Sequence, residues 1–308
     1  MSNQLYPVLF MLSSTFSLSL TGLFSKFLSQ HMEASLLSFL RFIVPAALLL
    51  VVVFRQHLRL PERKLLQPLW ARAVCIGLCQ MCFIYSLTHL SLVESVVLFS
   101  TGPMFIPLLE KLIFSVKVSR LNILGLLMTF VGVVLLAGDV SGVNFRVELL
   151  VGLAAGMFNA GSQLALYRAS KTSLNAFEIN FWTFLFAAVV LVPFLMFSVW
   201  NQVELVYTST ASNGLLIATL IALALLIINT QVFRSKAYKM AQSNSQLAPL
   251  IYTNLIFTAL WQVLFYQESY QASQLLGLMI IIVANIGCAL LPKAMGSKAG
   301  VRLKQRTH

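Results

Sequence analysis

Ten runs of about 20 mostly apolar residues, separated by short polar breaks, make up most of this chain, and a helix of that length crosses the roughly 30 Å of bilayer hydrocarbon. They fall at about 7 to 28, 33 to 54, 70 to 88, 92 to 115, 121 to 138, 147 to 167, 177 to 199, 213 to 238, 243 to 266 and 273 to 292. The breaks carry turn-forming residues: Arg55 to Arg63 holds Pro61, Val140 to Asn144 holds Gly142, and Thr208 to Asn213 is a Ser/Thr/Asn run. A chain of 308 residues that is 59% apolar, only 10% charged and of mean hydropathy +0.87 cannot cover itself with a water-soluble surface, which excludes a soluble enzyme and a disordered chain alike. Four cysteines are too few to staple a secreted scaffold. The first run is too long for a signal-peptide core and lacks an A-x-A cleavage pattern, so it is expected to remain as a helix.

Cationic residues set the expected orientation, because Lys and Arg collect on the cytoplasmic side. With the N-terminus inside, 18 of the 21 fall in inner loops, at inner helix ends or in the tail, among them Arg55, Arg72, Lys111, Arg168, Arg234, Lys239 and Arg302. Arg146 lies outside, and Lys26 and Arg41 lie within or close to the membrane. The net charge of +12 therefore reports topology and not nucleic-acid binding. The basic tail reads as a solvated end that faces lipid headgroups.

A weak internal repeat runs in order along the chain. Lys117 to Gly125 (KVSRLNILG) corresponds to Glu268 to Gly277 (ESYQASQLLG), and Arg41 to Ala47 to Trp182 to Ala188, with Lys26 falling on Tyr167 at the same offset. Five helices per half is odd, so the second half enters the membrane with the opposite orientation. The expected fold is all-α and integral to the membrane: ten transmembrane helices as two inverted five-helix repeats, residues 1–143 and 144–292, then a basic cytoplasmic tail, 293–308, with both termini cytoplasmic. Such symmetry serves alternating access, with a site at the repeat interface near the midplane.

Gly22 to Lys26, Phe39 to Phe42, Tyr85 leading into Ser95 to Pro103, and the stretches ending Leu124-Gly125 and Leu276-Gly277 give the chain a resemblance to the drug/metabolite transporter superfamily, specifically its ten-helix EamA-type carriers. The resemblance spans residues 5 to 292 and implies two five-helix repeats, a transport activity and, more commonly, export. Lys117 stands where the family often has an acid, which the second half keeps as Glu268.

Ionisable groups inside a bilayer are functional candidates by default. Arg41 lies about two turns into the second helix, and Lys26 approaches the outer end of the first, so together they could orient a carboxylate or phosphate. Alternatively, Arg41 pairs with helix-end carbonyls or with Glu33 or Glu94, and Lys26 reaches the headgroups. Their counterparts Tyr167 and Trp182 would form an aromatic gate at the inner end, and Pro103 and Pro249 mark helices that could bend at gates. Near the midplane stand the amides Gln80, Asn159, Gln163, Asn229 and Asn254, with Tyr85, Tyr252 and Trp261 as aromatic wall. Amides both donate and accept, which suits a zwitterionic or polyhydroxy solute, although they also serve as interhelical glue. Ser13, Ser17, Thr21 and Ser25 share one face of the first helix, and Gly152 and Gly156 form a G-x-x-x-G close-packing motif.

The sequence offers no central carboxylate of the kind a proton-driven exporter of cationic drugs needs, and no ATP-binding or dinucleotide motif. Cys75, Cys79 and Cys82 have an iron-sulfur-like spacing but sit inside an apolar helix, where they read as core residues. No cofactor, metal or enzymatic activity is expected. The expected partners are a small-molecule substrate and the lipid bilayer, with no nucleic acid, and a homodimer is left open. The function read from the sequence is a secondary transporter in the cytoplasmic (inner) membrane that moves a small organic metabolite, an amino acid or derivative first, by alternating access. Uptake or exchange of a nutrient or nucleotide-like solute such as S-adenosylmethionine is the alternative, and a polytopic enzyme or flippase lies outside transport.

Overall fold

In a computed structural model, the chain is described over residues 5–55, 60–61, 63–114, 120–136, 146–207, 213–240, 250–251, 253–266, 271–273, 275–284 and 287. Every element among these is helical, as lipid demands, since a helix is the open-ended structure that satisfies its own backbone polar groups. Six helices are long and apolar enough to cross a membrane: α1 (Leu5–Ser29), α2 (Ala34–Arg55), α3 (Arg63–His89), α7 (Val147–Ser170), α8 (Ala176–Trp200) and α9 (Asn213–Met240). Shorter helices are α4 (Leu92–Phe99), α5 (Gly102–Phe114), α6 (Arg120–Leu136), α10 (Thr253–Phe265) and α11 (Leu275–Ala284). The fourth expected span is thus two helices, interrupted at Ser100 and Thr101. Pro103 explains the position of the interruption, because it has no N–H to donate to the carbonyl four residues back. The third begins about two turns earlier than its hydropathy suggests, at Arg63 instead of residue 70.

Several helix starts are fixed by carboxylates. Glu94 completes a capping box with Ser91 at α4, and Glu178 one with Asn175 at α8. Glu33 accepts from the backbone N–H groups of Ser35 (2.6 Å) and Leu36 (3.2 Å) at the start of α2. These three acids are therefore engaged in ending helices, a role worth about 1 kcal/mol each.

The halves of the chain pack into one another, and each pairing has a reciprocal. Helix α3 lies along α7 as α9 lies along α1; α2 lies along α8; and α5 contacts α7 as α10 contacts α1. The α1–α9 seam is polar. Ser14 donates to the Thr230 carbonyl at 2.8 Å, and Asn229 Nδ2 donates to Ser17 Oγ at 2.6 Å. The α2–α8 seam is mostly apolar, with Phe42 and Phe184 at 6.0 Å in the main core cluster and one buried hydrogen bond, Ser35 Oγ to Ser198 Oγ at 3.1 Å. Small residues allow the closest crossings. A Cβ on Gly156 of α7 would stand 2.7 Å from the Leu98 carbonyl oxygen of α4, and one on Gly132 of α6 would stand 2.8 Å from the Gly277 carbonyl of α11. The G-x-x-x-G pair is thus a packing device, while large exposed side chains such as Phe197 and Trp200 face outward, as lipid-facing positions do.

Candidate functional site

At the junction of the halves lies a narrow cavity, about 20 Å³ as measured by the water centres it can hold, walled by residues of α1, α2, α3, α4, α7, α8 and α9. Its polar wall consists of Thr21, Arg41, Gln80, Asn159, Thr230, Gln231 and Arg234; its apolar wall includes Leu18, Phe42, Ile76, Phe99, Phe184 and Ile227. Ile76 and Gln80 of α3 and Ile227 and Gln231 of α9, each pair one turn apart, line the wall.

Arg41 is 4% exposed and donates through Nη1 to Ser25 Oγ of α1, while its Nε has no partner among the described residues. Glu33 and Glu94, the acids that could have paired with it, are held at helix starts, and Glu94 lies 3.8 Å from Arg146. Arg234 is 2% exposed, and its Nε and Nη2 have no partner among the described residues. Arg72, fully buried behind the cavity, donates to Asn180 Oδ1 (2.9 Å), Thr183 Oγ1 (3.2 Å) and Gln231 Oε1 (3.2 Å), all neutral acceptors. Arg72 and Arg234 are electrostatic neighbours. Among the described residues the cavity wall holds two guanidinium groups and no carboxylate. Burying an ion costs several kcal/mol unless an opposite charge offsets it, and no acid in the described wall offsets these two.

The structure brings Arg41, Gln80 and Asn159 together in the cavity. Gln163 stands one turn behind, where its Nε2 donates to Asn159 Oδ1 (3.2 Å) and its Oε1 accepts from Tyr238 (3.1 Å). Other candidates lie elsewhere. Lys26 Nζ donates to the carbonyls of Leu87 (2.7 Å) and Leu90 (2.6 Å) at the C-terminal end of α3, a helix-end pairing that the sequence suggested for Arg41 and not for Lys26. Asn229 is spent on Ser17, and Trp261 Nε1 donates to Ser19 Oγ at 3.0 Å, so both join α1 to its neighbours. Asn254 is buried outside the cavity with an unpartnered Oδ1. Tyr85 is exposed and packs on His89 at 4.5 Å. Tyr167 meets Tyr238 edge-on at 6.1 Å, and Trp182 leans on Phe186 at 5.8 Å. The backbone of Pro103 lies in the first turn of α5, whereas Tyr252 and Pro249 lie outside the described residues.

Arg72, Gln231 and Arg234 are the site residues that sequence reasoning passed over. Counting inner-end cations absorbed the two arginines as topology signals. The polar residues Asn180 and Thr183, set in the mostly apolar α8, were the available sign that a buried charge lies opposite them.

Asn159 joins the cavity to the Gln163–Tyr238 chain, and Gly102 at the α4–α5 interruption lies directly against it, its ideal Cβ 2.9 Å from Asn159 Nδ2. Asn159→Leu should lower substrate affinity by about fivefold, the worth of one hydrogen bond of about 1 kcal/mol. The lipid-facing Val192→Leu is the control in a binding titration; equal losses in both would remove Asn159 from the site.

The family model described as the EamA-like transporter family matches the chain twice, over residues 5–138 and 146–290. The chain is also 26% identical over 286 residues to the Pseudopaline exporter CntI of Pseudomonas aeruginosa strain PAO1, covering 93% of this chain and 96% of that protein. The same exporter from strain UCBPP-PA14 matches at the same identity and coverage. A solved structure described as "Crystal structure of protein" superimposes with a TM-score of 0.57 at 16% identity, over 94% of this chain and 98% of that one, a likeness of fold alone.

Proposed function

Because this chain belongs to the EamA-like transporter family, we propose that it is a secondary carrier that exports a small organic metabolite, an amino acid or amino-acid derivative, across the cytoplasmic membrane by alternating access. In this reading residues 1–143 and 144–292 are inverted five-helix halves of a ten-span protein, with both termini and the tail, 293–308, in the cytoplasm. The reciprocal pairing of α3 with α7 and α9 with α1 supports the inversion, since exchange of two related halves maps each pairing onto the other.

The observation that carries the transport reading is the cavity at the junction of the halves, with buried guanidinium and amide atoms that have no hydrogen-bond partner among the described residues. An alternating-access carrier needs its binding site at that junction, where rocking of one half against the other exposes it to each side in turn. Export, the direction given by the name of the Pseudomonas relatives, is the direction we assign here.

The test is transport in proteoliposomes against a panel of labelled amino acids and amino-acid derivatives, nucleosides and sulfonium compounds, with and without a pH gradient. Movement of an amino-acid derivative is expected. Movement of nucleosides or sulfonium compounds alone would replace the assignment with the nucleotide-like alternative, and no movement of any solute would contradict the carrier reading.

A further inference from the structure

We propose that the cavity takes a solute with two carboxylates, one held by Arg41 and the other by Arg234, flanking an N–H group that donates to Gln80. This rests on the reading of the cavity as the transport site and narrows its substrate from amino acids in general to dianionic derivatives of them.

The first argument is the inventory of charge. Two guanidinium groups, 4% and 2% exposed, enter one cavity whose lining contains no acid. Arg72 adds a third positive charge behind Arg234, and its own partners are all neutral. A single carboxylate would leave one buried cation uncompensated. Two would balance both, and the fork of a guanidinium matches a carboxylate with two parallel hydrogen bonds. The open valences agree: Arg41 Nε, Arg234 Nε and Arg234 Nη2 are buried donors without acceptors among the described residues.

Spacing is the second argument. Arg41 is bonded to Ser25 of α1. On the other side of the cavity the carbonyl of Thr230, one turn before Arg234, accepts from Ser14 of the same helix. Helical side chains slant towards the N-terminus, which carries the Arg234 guanidinium back to about the level of Thr230. From Ser14 to Ser25 the axis of α1 advances roughly 16 Å at about 1.5 Å per residue. Less an ion-pair contact of about 3 Å at each end, the two carboxylates stand roughly 10 Å apart. A small amino acid reaches one guanidinium and not both.

Third, Gln80 Oε1 is buried in the cavity wall with no donor. It is an acceptor, so the middle of the solute must present an N–H, which an amine or amide between the two acidic arms supplies.

The experiment is calorimetric titration of the purified full-length protein with a ladder of α,ω-dicarboxylates from succinate to sebacate, with iminodiacetate and with the monomethyl ester of each. Long diacids are expected to bind about tenfold or more tighter than succinate and than their own monoesters, as a second buried charge pair dictates. In Arg234→Gln the diacid and its monoester should bind alike, and Arg234→Lys should keep part of the preference. Equal binding of diacid and monoester by the unaltered protein overturns the inference, and that comparison needs no variant to fold. If a neutral amino acid crosses vesicles at an unchanged rate in Arg234→Gln, the carrier reading stands and the dianion inference falls. If long diacids bind with the expected preference yet no solute crosses, the binding inference stands and the carrier reading falls.

Discussion

Arg41→Gln is expected to lower transport by about 100-fold or more, since truncating one member of a buried charge pair with substrate costs roughly 2–5 kcal/mol. The same change should leave the melting temperature of the empty protein unchanged or raise it. Arg41 has a hydroxyl partner in Ser25 and no carboxylate, so its removal relieves a buried charge and strands none. Arg41→Lys keeps the charge, loses the planar fork and should fall between, at about tenfold. Transport in proteoliposomes and thermal unfolding in detergent read the two effects separately. A residue that merely braces the fold would lower both together, and that outcome would take Arg41 out of the site.

Gly156→Leu should leave almost no folded protein. Its Cβ would stand 2.7 Å from the Leu98 carbonyl oxygen, which is backbone and cannot rotate aside, so α4 and α7 would have to separate. Overpacking of that kind costs about 3 kcal/mol or more, a large part of the stability of an ordinary domain. Gly152→Ala is the contrast. Its added Cβ meets Leu98 Cδ1 at 2.8 Å, the tip of a side chain that can rotate, and it should cost about 1 kcal/mol or less. Yield of monodisperse protein on size-exclusion chromatography checks both, and normal yield of Gly156→Leu would mean that the helices do not cross as closely as described.

Sequence patterns that report a bulk property proved legible. Apolar length alone places the six long helices, because hydrocarbon thickness fixes it, and the glycine pair of α7 announces a close crossing. Pro103 was legible only as a possible bend in one span from 92 to 115, and the full interruption at Ser100 and Thr101 was not. What else escaped depends on contacts far apart in the chain. Nothing near Asn229 indicates that it is tied to Ser17, and nothing near Trp261 indicates Ser19. Arg72 and Arg234 carry the same charge as loop arginines, and only the packing of α3, α8 and α9 distinguishes a buried guanidinium from a headgroup-facing one. Arg41 stood out because no loop lies near enough to claim it.

In the carrier proposed above, the cavity at the junction of the halves is exposed to each side of the membrane in turn. Its most direct test is the side-specific reactivity of a single cysteine in its wall, Leu18→Cys, in a protein whose Cys75, Cys79, Cys82 and Cys288 are replaced by serine. In proteoliposomes of known orientation, a membrane-impermeant thiol reagent should modify that cysteine when applied from either face, and a saturating transported solute should slow both reactions. Reaction from one face alone, under every substrate condition, would contradict alternating access at this site.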